Sequence, residues 1–169
     1  ANNMTDQASA LAALVNCPLA DAESQAQNCL DQFYTQWSHE SLVVNQWLRV
    51  QADSDKPNAL QRVEHLMQHD AYDNTNPNKV RSLIGGFCMG NIAQFHADDG
   101  SGYDLLADEV IRLDSLNPQL ASRLLTPLTQ WRRFATPQSE LMRAALKRIA
   151  DVDSLSADVF EVVSKSCAD

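Results

Sequence analysis

The sequence predicts an all-α protein of about nine helices, and three observations support this fold class. Apolar residues recur at spacings of three and four along most of the 169-residue chain, as on one face of a helix. No stretch alternates apolar and polar residues with a period of two, as a half-buried strand would. Only five Gly and six Pro interrupt a chain that is 44% hydrophobic and 21% charged. We therefore expect a single helical domain spanning residues 1–169.

Four helices are predicted before residue 70. Thr5 or Asp6 can cap the first, which the Asn-Cys-Pro run at residues 16–18 ends. The second is expected at about residues 21–37, the third at 40–52 and the fourth at 59–69, with a polar loop at 53–58. The residues expected on their apolar faces are Leu11, Leu14, Val15, Ala26, Leu30, Phe33, Tyr34, Trp37, Val43, Val44, Trp47, Leu48, Leu60, Val63, Leu66 and Met67.

A fifth helix is predicted after Asn76-Pro77, because an apolar stripe follows at helical spacing. The stripe consists of Val80, Leu83, Ile84, Phe87 and Cys88. Gly85-Gly86 lies inside it, and each glycine costs a helix interior about 1 kcal/mol relative to Ala. Two explanations remain open, namely close packing of a neighbouring helix and backbone exposed to a ligand or cavity. Gly90-Asn91 is the expected end of this helix.

Four further helices are predicted after residue 100. The sixth begins at Ser101 or Gly102, and Asn117-Pro118 supplies the N-cap and first residue of the seventh. Residues 136–139 are expected to repeat that arrangement before the eighth helix, and Ser156 caps the ninth. Their expected apolar faces carry Tyr103, Leu106, Val110 and Leu113, then Leu120, Leu124, Leu128 and Trp131, then Leu141, Ala145 and Ile149, and finally Val159, Val162 and Val163.

Short connections make successive helices antiparallel neighbours. From the residues alone, both a curved stack of helix pairs and a globular bundle fit such a pattern.

The net charge of −9 is unevenly distributed: residues 1–116 hold 16 acidic and 6 basic side chains, and residues 117–169 hold 6 and 7. An acidic chain is a poor candidate for binding nucleic acid, which needs Lys and Arg against phosphate. No apolar window is long enough to span a membrane, and no signal peptide is evident. Cys17, Cys29, Cys88 and Cys167 are widely spaced, so we expect four reduced thiols and a cytoplasmic protein.

The sequence offers no candidate catalytic residue, metal ligand or cofactor site. His65 and His69 have the spacing of an H-E-x-x-H zinc motif, but Leu66 stands where the Glu should be, so we expect two surface histidines. No nucleophile elbow, phosphate-binding loop or dinucleotide fingerprint is present.

Two arginines stand out as candidate binding residues, because Arg81 and Arg123 each flank an apolar stripe. One interpretation is a surface ion pair with Asp98, Asp99 or Asp104. The other is a guanidinium that faces a cavity and recognises a carboxylate with its fork of donors.

Three uncommon strings occur in order along the chain: N-P-N-K-V-R-S-L-I-G at residues 76–85, F-H-A-D-D-G-S-G-Y at 95–103 and N-P-Q-L-A-S-R-L at 117–124. Together they resemble the C-terminal domain of the bacterial aminopeptidase N family, zinc aminopeptidases of the gluzincin class. The start of the chain, residues 3–6, is similar as well, so the resemblance covers the whole chain.

The resemblance implies a curved superhelical stack of antiparallel helices, of the HEAT or ARM type. It also implies that zinc and the catalytic residues lie upstream, in a catalytic domain of the same polypeptide, and that this chain walls and gates the chamber for peptide substrates. Arg81 and Arg123, with Asn76 and Asn78, are the implied peptide-binding candidates, whereas Lys79 stands where the family often has Arg. The alternative is a free-standing helical-repeat module that binds partner proteins on a concave face.

Overall fold

The computed structural model describes residues 3–19 and 22–168, and every regular element within them is a helix. The chain divides into two compact units, Ala1–Gln94 and Phe95–Asp169, called unit 1 and unit 2 below. The predicted all-α class is therefore confirmed. A single domain over residues 1–169 stays a prediction. No helix in the described ranges is long and apolar enough to cross a membrane.

Unit 1 begins with four helices: α1 (Met4–Val15), α2 (Ala22–Trp37), α3 (Ser41–Ala52) and α4 (Ala59–Leu66). Neither Thr5 nor Asp6 caps α1, since the side chain of Asn3 accepts the Asp6 backbone N–H at 2.9 Å. The predicted start of α2 at Asp21 lies outside the described residues. Helix α4 ends at Leu66 instead of residue 69, and Leu14, Leu60 and Met67 are only partly buried.

The glycine-bearing helix α5 spans residues 77–90 in three consecutive segments. Pro77–Val80 and Gly86–Gly90 are α-helical, and Arg81–Gly85 between them is a π-helical turn. All five residues of the predicted stripe are buried. A Cβ added to Gly86 would lie 3.2 Å from the Cβ of Ala52, so α3 approaches α5 closely there. Of the two explanations for Gly85-Gly86, close helix packing is thus confirmed at Gly86.

Unit 2 begins at Phe95, the last residue of the short helix α6 (Ile92–Phe95). It continues with α7 (Ser101–Asp114), α8 (Pro118–Leu124), α9 (Thr126–Thr129), a 3-10 turn (Trp131–Arg133), α10 (Gln138–Ala150) and α11 (Ala157–Cys167). The single helix predicted from Asn117 to Trp131 is wrong. The segment instead forms α8, α9 and the 3-10 turn. The break between α8 and α9 occurs because Pro127 lacks the N–H that a continuous helix would need.

The helix starts of unit 2 test three predicted caps. Asn117 accepts the Leu120 N–H at 3.0 Å, and Ser156 accepts the Val159 N–H at 3.2 Å, so both caps are confirmed. The third prediction is wrong: the Thr136–Pro137 bond is cis, Pro137 precedes α10, and no side chain caps that helix.

The buried residues follow the predicted stripes in most helices. In α7, Tyr103, Leu106, Val110 and Leu113 are all at most 1% exposed. In α10, Met142 and Leu146 are buried where the prediction named Leu141, which is partly exposed. Cys17, Cys29 and Cys167 are free thiols, as expected, and Cys88 is buried.

Candidate functional site

Three of the four candidate binding residues form one hydrogen-bonded cluster at the start of α5. The Asn76 side-chain oxygen accepts from the backbone N–H groups of Asn78, at 3.0 Å, and Lys79, at 3.4 Å. The Arg81 guanidinium Nη1 donates to the Asn78 side-chain oxygen at 3.3 Å. Asn76 therefore shapes the helix start, whereas Asn78 and Arg81 are exposed and present polar groups to solvent.

Lys79 adds a second cation to this cluster. Burial lowers the pKa of its ammonium group, and the nearby Asp73 carboxylate partly opposes that shift. The pKa of Asp73 is itself lowered, chiefly by hydrogen bonds from the Thr75 hydroxyl and backbone N–H. The start of α5 thus exposes the Arg81 guanidinium to solvent. The partly buried Lys79 ammonium and the ionised Asp73 carboxylate lie beside it.

Arg123 lies in unit 2, in the last turn of α8, and its side chain is exposed. Its backbone carbonyl accepts a hydrogen bond from the Thr126 hydroxyl at 2.8 Å, which continues the chain into α9. That Arg123 and Arg81 face one common surface stays a prediction.

The ion pairs proposed as the alternative for these arginines are not formed among the described residues. Each of the three aspartates has another neighbour: Asp98 accepts from Gln138 at 2.6 Å, Asp99 from Ser101 at 2.7 and 3.0 Å, and Asp104 lies 3.9 Å from Arg148. Both arginines are exposed, and Arg81 donates to Asn78 instead of to one of these aspartates.

His65, in α4, and His69, beyond its end, do not have the surroundings of a metal site. His65 is exposed, but His69 is half-buried, so the expectation of two surface histidines is wrong for His69. Its ring lies against Tyr34 and Trp47, at centroid distances of 5.0 and 5.3 Å, and its Nδ1 accepts the Ala71 N–H at 3.0 Å. In the described ranges no group of three or more His, Cys, Asp or Glu could hold a metal ion.

The run at residues 95–103 forms a side-chain contact, between His96 and Tyr103, that the sequence did not predict. His96 Nδ1 lies 2.8 Å from the Tyr103 hydroxyl, and the His96 ring stacks on Phe134 at 4.4 Å. Burial raises the pKa of Tyr103 to about 12 and lowers the pKa of His96. The seven-residue separation of His96 and Tyr103 is the only signal that the sequence carries for this contact, and by itself it is weak.

The chemistry available to the candidate residues is recognition. A guanidinium can hold a carboxylate through two parallel N–H donors, and an Asn side chain can bond a peptide group. The Thr75 hydroxyl beside this cluster donates to the Asp73 carboxylate at 2.6 Å, within an exposed turn.

Comparison with known proteins identifies relatives along the whole chain. The family described as "Domain of unknown function (DUF3458_C) ARM repeats" matches residues 1–168. Aminopeptidase N of Escherichia coli is 42% identical over 168 residues, or 99% of this chain. Aminopeptidase N of Haemophilus influenzae and that of Caulobacter vibrioides are 39% and 40% identical over 98% of it.

A solved structure agrees with these sequence relatives. The crystal structure of Legionella pneumophila aminopeptidase A in complex with aspartic acid matches 98% of this chain with a TM-score of 0.90 and 34% identity. The chain spans only 19% of that protein and 19% of each aminopeptidase N. The similarity thus covers nearly all of this chain but only about a fifth of the length of each relative.

Proposed function

Because the chain belongs to the DUF3458_C family of ARM-repeat domains, we propose that it is the non-catalytic C-terminal domain of a zinc-dependent aminopeptidase, which removes N-terminal amino acids from peptides. One observation carries the proposal. The chain is about 40% identical to aminopeptidase N over 98–99% of its own length, but covers only 19% of those proteins. Such a match, complete for this chain but partial for its relatives, supports the proposal that the chain is one domain of a larger enzyme.

In this proposal the domain contributes recognition and enclosure, and the chemistry belongs to another part of the polypeptide. Zinc would be held by the upstream catalytic domain. In this chain Leu66, at the Glu position of the motif, is buried in the core, and His69, beyond the end of α4, packs against two aromatic rings. Helices α5 and α8 would form part of the wall of the substrate chamber. Arg81 and Arg123 would meet carboxylates of the peptide there.

The partners in this proposal are the catalytic domain of the same polypeptide and the peptide substrates, in the cytoplasm. The free thiols of Cys17, Cys29 and Cys167 support that compartment. The acidic net charge of −9 argues against nucleic acid as a partner. A free-standing module that binds partner proteins is the second candidate. Reading frames separate the two, since a frame no longer than this chain supports the module and a longer one with H-E-x-x-H upstream supports the peptidase.

The direct test compares this chain with the full-length protein. We expect the chain alone to release no product from an alanyl chromogenic amide and to retain no zinc after dialysis, and the full-length protein to do both. Stoichiometric zinc in the chain alone, lost in a His65→Ala, His69→Ala double variant, would contradict the proposal. The double variant is needed because adventitious metal would survive it.

A further inference from the structure

A groove in unit 1 lies between α1 and α2. Its volume is about 300 Å³, and Leu11, Leu14 and Phe33 form its apolar lining. Each helix contributes four residues at spacings of three, four and seven, so the groove follows one face of each helix. A cavity of about 150 Å³ can hold a benzene molecule. The groove therefore has room for one or two large apolar side chains.

The rim of the groove consists of uncharged polar groups. Gln7, Gln32 and Gln36 supply side-chain amides, and Cys29 supplies an exposed thiol. The Trp37 indole N–H donates to the Gln7 side-chain oxygen at 3.1 Å, which ties the first half of α1 to the end of α2. Amides can donate to and accept from a peptide group, and none of the described charged side chains lines the groove. These properties suit an apolar side chain carried by another stretch of polypeptide.

The two helices that form the groove are poor in charge. The 12 residues of α1 include one charged side chain, Asp6, and the 16 residues of α2 include two, Glu23 and Asp31. Helix α10, for comparison, carries four charged side chains in 13 residues, and α11 carries three in 11. Charged residues are depleted at the centre of protein interfaces. The composition of α1 and α2 is thus typical of a helix pair that another element covers.

We propose that a helix of the same polypeptide, preceding this chain, covers the groove and inserts one or two large apolar side chains between α1 and α2. The inference rests on the proposed function, in which this chain is one domain of a longer enzyme. The chain spans only 19% of each aminopeptidase N, so most of such a polypeptide lies outside it. In stacked helical repeats each pair buries a face against its neighbour, and an end pair needs a polar outer face. The α1–α2 pair has an apolar groove, as an inner pair does.

The Cys29 thiol can report on this contact, because it lines the groove and is exposed in this chain. The test compares how fast N-ethylmaleimide modifies Cys29 in the 169-residue chain and in the full-length protein, with each cysteine followed by peptide mass spectrometry. We expect modification at least about tenfold slower in the full-length protein, because the thiol is reached only when the covering helix moves away. Cys167, at the end of α11 and outside this groove, should react equally fast in both.

Ala10→Glu is the disrupting variant, since it adds a carboxylate to the groove at an exposed position of α1. Burying that charge under another helix is costly. In the full-length protein the substitution should therefore remove most of the protection of Cys29, measured against the 169-residue chain with the same substitution. The matched control is Ala13→Glu, which adds the same charge at an exposed position of α1 outside the groove and should leave the protection intact.

The outcomes separate this inference from the proposed function. Equal modification of Cys29 in the chain and in a catalytically active full-length protein would overturn the inference and leave the proposed function standing. Equal loss of protection in the two variants would overturn it as well. Protection that appears in the chain alone and rises with its concentration would assign the groove to a second copy, and a reading frame no longer than this chain would overturn both proposals. The comparison of the unmodified proteins is decisive even if Ala10→Glu prevents the full-length protein from folding.

Discussion

His96 lies in an aromatic surrounding formed by Phe95, Tyr103 and Phe134. Its ring stacks on Phe134 at 4.4 Å and meets Phe95 edge-on at 4.9 Å, and its Nδ1 lies 2.8 Å from the Tyr103 hydroxyl. A neutral imidazole can accept the tyrosine proton at Nδ1, whereas a protonated imidazole has no lone pair there. An imidazole that carries a proton at Nδ1 can instead donate to the Tyr103 hydroxyl oxygen, so this contact by itself does not select a charge state. The aromatic surrounding does favour the neutral form, because burial lowers the pKa of His96.

This arrangement predicts a pH dependence of stability. Burial lowers the folded-state pKa of His96 below its ordinary value of 6.5. The contribution of His96 to the free energy of unfolding is thus fully present above pH 6.5 and is lost as the pH falls through the lowered pKa, since the unfolded chain binds the proton more readily. Urea unfolding at about pH 7.5 and 5.5, on either side of the ordinary histidine range, should show lower stability at the lower pH.

The control for this prediction separates His96 from the other titrating groups. A His96→Gln variant should show a smaller difference between the two pH values, and His65→Gln, at an exposed position, should behave like the unmodified chain. The carboxyl groups of Asp73, Asp99 and Glu161 have lowered pKa values, so their effects appear at more acidic pH. The pKa of Tyr103 is raised to about 12, far above the range tested. An unchanged difference in His96→Gln would rule the histidine out as the cause.

At the scale of the helices, two glycines occur where a neighbouring element approaches closely, but at different distances. A Cβ at Gly102, in the first turn of α7, would lie 2.5 Å from the Phe95 carbonyl oxygen, a backbone atom. A Cβ at Gly86, in α5, would lie 3.2 Å from a side-chain atom of Ala52. The Ala52 Cβ is fixed to its own backbone, so neither neighbour can rotate away, and the two positions differ in distance. A contact of 2.5 Å requires a rearrangement, whereas one of 3.2 Å requires a shift of only a few tenths of an ångström between α3 and α5.

We accordingly predict that Gly102→Ala destabilises the protein by about 1–3 kcal/mol, the usual cost of overpacking. Gly86→Ala should stay within about 1 kcal/mol of the unmodified chain, because the gain in helix propensity offsets a small separation of α3 from α5. Chemical denaturation of the two variants, side by side, measures both values. The opposite order would mean that the α6–α7 turn rearranges more easily than the contact between α3 and α5.

The same helices show how far sequence patterns reach. The period of the α5 stripe predicted all five of its buried residues, because burial on one side of a helix leaves that period in the sequence. The π-helical turn at Arg81–Gly85 could not be predicted, since it widens the helix locally without altering the type of residue that is buried. The break before α9 was predictable, because Pro127 cannot continue a helix, but the apolar period of residues 120–131 obscured it.

At the scale of the whole molecule, the sequence predicts that Arg81 of unit 1 and Arg123 of unit 2 face one surface, and this stays a prediction. The apolar period of a helix indicates that Arg81 flanks one stripe and Arg123 another. Whether two exposed side chains meet depends on long-range packing that no local pattern encodes. The sequence did predict where α5 and α8 begin, from Asn76-Pro77 and Asn117-Pro118, and in both helices the Asn side chain caps the first turn. The shared substrate surface is therefore the part of the proposed function that most needs a kinetic test.

The test of that surface is Arg123→Ala in the full-length protein, with peptides of three or more residues and a small chromogenic amide as substrates. In the proposed enzyme, a peptide bound by its N-terminus would present its C-terminal carboxylate away from the zinc, where a guanidinium can bind it through two N–H groups. Loss of such a charge-assisted bond should raise KM for peptides by roughly 10- to 150-fold at most, corresponding to about 1.5–3 kcal/mol. The amide has no such carboxylate, so its KM should hardly change.

Two further variants, Arg123→Lys and Arg133→Ala, serve as controls. Lysine keeps the charge but lacks the planar fork, so Arg123→Lys should recover only part of the peptide affinity. Arg133 is an exposed arginine of the same unit outside the candidate site, and its replacement should leave both substrates unaffected. Equal losses on peptide and amide, or a lower melting temperature with unchanged kinetics, would instead make Arg123 a structural residue. Because the fork matters only for a carboxylate ligand, the contrast between Ala and Lys at this one position separates peptide recognition from a general effect of positive charge.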